Sequence, residues 1–135
     1  MAARMSNKAL GNKFERELAE TLSKNGYWVH RMIQSQVGQP FDLLVAKNGE
    51  TFPIDCKVCE NDIFPFSRIE PNQVNAMTLW RETGNGNGFF ALKLNDGSVY
   101  ILTFYQMQEL SALKSALSRT DIIEYGSPLE DWLCV

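Results

Sequence analysis

The chain has 135 residues, 44% of them hydrophobic and 21% charged, which suits one domain with a real core and excludes a disordered or fibrous protein. No apolar run approaches the ~20 residues that cross a bilayer, and the first eight residues lack the apolar core of a secretory signal, so a cytoplasmic chain is expected. A net charge of −3 disfavours a nonspecific nucleic-acid coat, and three cysteines make no disulfide framework.

A helix is predicted over residues 7–25, where Leu10, Phe14, Leu18 and Leu22 recur every four positions between charged residues. Ser6 or Asn7 suits its N-cap, and Asn25-Gly26 its end. Residues 27–33, rich in aromatic and β-branched types, predict a strand, and a polar loop with Gly38 and Pro40 follows at 34–40. A second strand at 41–46 is apolar but for Asp42. Asn48-Gly49 predicts a hairpin turn, and 51–58 the returning strand, where Pro53 demands an outer side without a partner. Residues 59–66 read as irregular. A helix from Glu70-Pro71-Asn72 to about Thr83 presents Val74, Met77 and Trp80 or Arg81 on adjoining turns. The run from Gly84 to Gly88 is a flexible turn and not a phosphate loop. Strands at 89–94 and 99–103 flank Asn95-Asp96-Gly97-Ser98. A last helix runs from Tyr105 to about Leu117, and the tail from Ser118 reads as irregular with a short strand at Ile122-Ile123. The expected fold is α/β: a single domain, 1–135, with a mixed β-sheet flanked by helices, its core about 8–117 and a C-terminal extension at 118–135.

The chemistry lies in the predicted hairpin. Side chains alternate along a strand, so Asp55 and Lys57 share one face and Cys56 takes the other. A two-residue turn at Asn48-Gly49 pairs positions whose numbers sum to 97, which puts Asp42 opposite Asp55 on that same face. Two converging carboxylates, the backbone carbonyl of Cys56 and water suit a hard cation such as Mg²⁺. Lys57 is placed to hold an attacking water or to offset charge on a phosphate, as in-line hydrolysis of a phosphodiester requires. Glu15, beside the apolar stripe of the first helix, adds a third acid where the helix meets the sheet. An acid interrupting an apolar strand argues against a mere surface salt-bridge cluster. Cys56-Lys57-Val58-Cys59 cannot close a zinc site, since only Cys134 and His30 remain as soft donors, and no serine sits in a nucleophile elbow.

Six basic residues outweigh three acidic ones over 1–31, whereas two face five over 104–135, predicting a basic face near the N-terminus. Arg4, Lys8, Lys13, Arg31 and the Gln34-Ser35-Gln36 loop are the candidate DNA-phosphate contacts. Trp80 and Trp132 read as core or dimer contacts.

Gly11-Asn12-Lys13-Phe14-Glu15-Arg16-Glu17-Leu18, Gly26-Tyr27 with Arg31, Phe41-Asp42-Leu43 and Ile54-Asp55-Cys56-Lys57, spread over residues 8–103, resemble the PD-(D/E)xK nuclease superfamily. Within it they look most like the Holliday-junction resolvases of archaea and the RecU-type resolvases of Gram-positive bacteria and their phages. The resemblance implies a restriction-endonuclease-like core. It implies Mg²⁺, with Mn²⁺ able to substitute, bound by Glu15, Asp42 and Asp55 directly or through water, and Lys57 serving the catalytic water. Its spacing favours Glu15 over Glu17. It implies a homodimer that sets two sites on opposed strands of a four-way junction. The segment from Arg68 to Gln73 is similar to the RecU-type helix that follows the lysine strand, making Gln73 a candidate to orient the water or the phosphate. Three departures stand out: Phe41 directly precedes Asp42 where the family has Pro, Asp55 stands where Glu is commoner, and no RecU-type stalk is identifiable. The expected function is a metal-dependent, structure-selective endonuclease on Holliday junctions or related branched DNA. The alternatives are the same chemistry on flaps, nicks or duplex sites, and a DNA-binding relative without catalysis.

Overall fold

The computed structural model describes residues 5–33 and 38–134. Helix α1 (Asn7–Lys24) starts at Ser6, whose hydroxyl accepts the amide of Ala9, and its stripe of Phe14, Leu18 and Leu22 is buried, each side chain contributing about 2 kcal/mol. Strand β1 (Trp28–Arg31) comes before β2 (Leu43–Lys47), which turns at Asn48-Gly49 into β3 (Glu50–Val58). Asn48 at φ 53° and Gly49 at φ 82° both lie in the left-handed region that a tight hairpin turn demands. Leu43 faces Ile54 and Lys47 faces Glu50, the register expected from the turn.

A parallel strand needs a crossover, and α2 (Pro71–Glu82) supplies it between β3 and β5 (Phe89–Lys93). Pro53 sits one residue before that parallel pairing begins at Ile54 and Phe89, so its missing N–H costs no ladder bond on that side. Strand β6 (Val99–Thr103) and helix α3 (Phe104–Leu113) follow. The six-stranded sheet runs β1-β2-β3-β5-β6 and ends on the C-terminal strand β8 (Ser127–Pro128), with β3 and β5 its parallel pair and every other pairing antiparallel. Under α1 lie Leu43, Val45, Ile54, Ala91 and Ile101; the opposite face buries Phe90, Leu92 and Leu102 with Met77, Phe104 and Met107.

Three expectations are corrected. Residues 59–66 are not wholly irregular: β4 (Phe64–Pro65) pairs with β7 (Ala116–Leu117), so α3 ends at Leu113. The tail is ordered, with Ile122 inside α4 (Arg119–Tyr125) and not in a strand. After it, β8 (Ser127–Pro128) extends the sheet beside β6, and α5 (Leu129–Trp132) carries Trp132 onto Tyr27, Phe52 and Phe89 at ring distances of 5.6, 5.7 and 5.5 Å. Ring edges and faces meet favourably there, and Ile122 is fully buried. No described helix is long and apolar enough to cross a membrane.

Because the tail closes the sheet, Trp132→Ala should destabilise the fold by about 2–4 kcal/mol in urea unfolding. A loss under about 0.5 kcal/mol, the usual cost at an unpacked surface position, would show the tail to be dispensable.

Candidate metal and catalytic centre

Residues from both faces of the sheet meet where β2 begins. Asp55 and Lys57 project toward α2, in register with Phe90 and Leu92. Cys56 and Val58 pack toward α1. Asp42 lies one position before β2, and its amide donates to the Ile54 carbonyl. Its Oδ2 then accepts the Cys56 N–H at 2.7 Å, and its Oδ1 accepts the Gln39 side-chain amide at 3.0 Å. In a strand, N–H and C=O of one residue point to the same edge, so the Cys56 carbonyl also projects beyond the start of β2, beside Asp42.

Asp55 is fully buried. Its Oδ1 accepts Gln73 Nε2 at 3.0 Å, and Lys57 Nζ lies 3.3 Å from its Oδ2. That approach makes no hydrogen bond, so Oδ2 is a buried carboxylate oxygen without a donor. Gln73 is spread over three partners: its Oε1 accepts Lys57 Nζ at 3.3 Å and the Glu70 amide at 3.1 Å, while its Nε2 serves Asp55. The Glu70 bond is half of a capping box that starts α2, with Pro71 next, so local helix chemistry fixes where Gln73 points. Glu15, 5% exposed, comes from α1 on the other face, and Arg31 Nη2 lies 3.7 Å from its Oε1.

The electrostatics are those of acids short of counter-charge. Burial, then the neighbouring Asp42, pushes the Asp55 carboxyl well above the usual range, against the pull of Lys57. Burial and Asp42 likewise raise Glu15 to about 7, with Arg31 opposing. The Cys56 thiol is raised by burial and by these same acids, which makes it inert. Among the described residues, no three His, Cys, Asp or Glu side chains are already closed round one point as a metal cage. The donor set nevertheless fits a hard cation: oxygen ligands only, one of them orphaned, and protons held where positive charge is missing.

The cleft over this centre is about 360 Å³ and is lined by Lys8, Asn12, Glu15, Asp42, Lys57 and Gln73 among others. Glu15, Asp42, Asp55, Lys57, Gln73 and the Cys56 backbone are therefore brought together, with Lys8 exposed at the rim. Arg31 is beside the centre but engaged with Glu15. Lys13 is not at the cleft; it pairs with Glu17 at 3.8 Å, which also meets Lys93. Arg4, Gln34, Ser35 and Gln36 lie outside the described residues. Sequence reasoning missed Gln39, which grips Asp42 while its own carbonyl accepts Asn72 Nδ2 at 3.3 Å; its only signal is a position three residues before the acid.

The family described as archaeal Holliday junction resolvase (hjc) matches residues 6–134. The crossover junction endodeoxyribonuclease Hjc of Methanocaldococcus jannaschii is 29% identical over 94 residues, covering 70% of this chain and 66% of that protein. The chain thus spans just under two thirds of that relative's length. The 1.6 Å structure of Hjc from Archaeoglobus fulgidus, a Holliday junction resolvase, superimposes with a TM-score of 0.69 at 20% identity, over 91% of this chain and 99% of that one. That likeness shows the fold: a mixed α/β sheet flanked by helices.

A raised carboxyl pKa means that the native state holds more protons than the unfolded chain between the two values. Stability of the metal-free protein should therefore fall as pH rises from about 4.5 to about 7, the window of Glu15. Glu15→Gln should flatten that slope and stabilise the metal-free protein by about 1–2 kcal/mol at pH 8. Urea midpoints from pH 4 to 8 check this; an unchanged slope would mean that Glu15 is not held protonated.

Proposed function

Because the chain belongs to the archaeal Holliday junction resolvase (hjc) family, we propose that it is a Mg²⁺-dependent endonuclease that cuts four-way DNA junctions. The observation that carries the chemistry is the fully buried Asp55, whose Oδ2 makes no hydrogen bond although Lys57 Nζ lies 3.3 Å away, in the field of the neighbouring Asp42. Glu15, Asp42, Asp55 and the Cys56 carbonyl are the residues that would hold the cation, with Mn²⁺ an acceptable substitute. When bound, the ion supplies positive charge to the phosphate and a water of lowered pKa.

The chain's own groups do the rest. Lys57, anchored by Gln73 at 3.3 Å, presents its ammonium to the cleft. There it orients the attacking water and offsets the charge that develops on the phosphate. Gln73 acts through Lys57 and Asp55, which makes it a positioning residue. Hydrolysis forms one P–O bond from water and breaks the in-line P–O bond of the chain, the leaving oxygen taking up a proton. Lys8 at the rim and Arg31 near Glu15 are suited to flanking phosphates, which fix position without reading sequence. One protomer offers one such centre among its described residues. Cutting two opposed strands of a junction therefore calls for a second copy, and a homodimer is part of this proposal.

Purified protein with Mg²⁺ should nick a labelled four-way junction in paired strands and cut linear duplex at least ~100-fold more slowly. Lys57→Ala should lower the junction rate by about 10²–10⁴-fold while junction affinity stays within a few-fold. Equal rates on duplex and junction would redirect the reading to another DNA substrate. Absence of cleavage with either Mg²⁺ or Mn²⁺ would leave a DNA-binding relative without catalysis.

A further inference from the structure

Gly11 stands inside α1, where glycine weakens a helix. A Cβ built on it meets no atom within 4 Å. Packing therefore gives no reason for the missing side chain. Gly11 also lines two hollows at once: the cleft over the carboxylates and a larger groove of about 670 Å³ on the other side of the start of α1. The two share Gly11, Cys56 and Lys57 as walls, so they adjoin one another at the start of α1.

The polar part of the larger groove is Asn7, Asn61, Asn95, Arg68 and Lys57 with one acid, Glu60, beside apolar residues such as Leu10 and Ile63; Arg68 also donates to the Val58 carbonyl at 2.7 Å. Amide side chains and cations with few acids suit a chain of phosphates and sugars. The groove wall is also braced: Asp62 Oδ1 accepts the Asn95 amide at 2.7 Å, and Arg119 ties Asp62 to Asp96 at 2.9 and 3.2 Å. Asn61 and Asp62 are consecutively left-handed, at φ 59° and 56°, so the loop that brings Asn61 to the groove wall is held in a sparsely populated conformation.

We propose that these two adjoining hollows together are the track of one DNA strand, whose sugar-phosphate backbone leaves the cleft across Gly11 and continues past Asn61 and Arg68. The inference rests on the nuclease reading above and adds the path of the strand. A glycine is what close passage of a ligand backbone over a helix requires.

Gly11→Ala and Gly11→Met separate the alternatives, with Glu20→Met on the exposed side of α1 as control. Both Gly11 variants place better helix formers in open space. Gly11→Ala should raise Tm by roughly 3–5 °C, and Gly11→Met should leave Tm unchanged or higher. Gly11→Met should nevertheless weaken binding of a labelled four-way junction, measured without divalent cation, by tenfold or more. Gly11→Ala should weaken it less, and Glu20→Met should bind as wild type does. Wild-type affinity in Gly11→Met would overturn the track, and so would a lowered Tm, since the glycine would then serve packing. If the wild-type protein itself failed to bind the junction, the nuclease reading would fall with it; binding by wild type and Gly11→Met alike would sink the track alone.

Discussion

Two carboxylates face each other at the end of a hairpin, one of them fully buried. Nothing in the hydrophobic core calls for them, and burying charge without a partner is costly. The fold holds them there because the backbone does the placing: the Asn48-Gly49 turn sets the register, the register sets Asp42 beside Asp55, and the Cys56 amide fixes the rotamer of Asp42. Raised carboxyl pKa values are the thermodynamic trace of that arrangement. In the metal-free protein, protons take up part of the charge that a divalent cation would otherwise balance.

The surrounding structure follows from holding this pair still. On one face, α1 is anchored by Phe14, Leu18 and Leu22, so Glu15 arrives with little freedom. On the other, the capping box at the start of α2 orients Gln73, and Gln73 in turn fixes both Asp55 and Lys57. Each side chain of the centre is thus set by an element whose stability comes from elsewhere: a turn, an apolar stripe, a helix cap. Second-layer contacts of this kind govern precision in a catalytic site. The tail contributes at a distance, since β8 extends the sheet beside β6 and α5 lays Trp132 on Tyr27, Phe52 and Phe89.

Much of this was legible in the amino-acid order. The period of Leu10, Phe14, Leu18 and Leu22 gave α1 within a residue at its end, and Asn-Gly gave the register in which Leu43 faces Ile54, one step from the two acids. Glu15, Asp42, Asp55, Lys57 and Gln73 are brought together as the spacing and the family resemblance led us to expect. What was illegible is non-local. Strands β4 and β7 have two residues each and exist only through each other, so neither carries a period. The helix at Arg119–Tyr125 is too short for periodicity to outweigh its β-branched Ile122 and Ile123. Lys13 and Arg31 read alike as free cations in sequence. Only the fold shows that one meets Glu17 and the other meets an acid of the centre. Gln39 reads as one more polar loop residue until its amide is seen on Asp42.

Diffraction from crystals grown with Mn²⁺, recorded at the metal's absorption edge, addresses the carboxylate pair directly. The account predicts one strong anomalous peak between Asp42 and Asp55, near the Cys56 carbonyl and on the Glu15 side, with Asp55 Oδ2 among the ligands. A peak at a different location, or none at saturating Mn²⁺ with the two carboxylates still in contact, would contradict it.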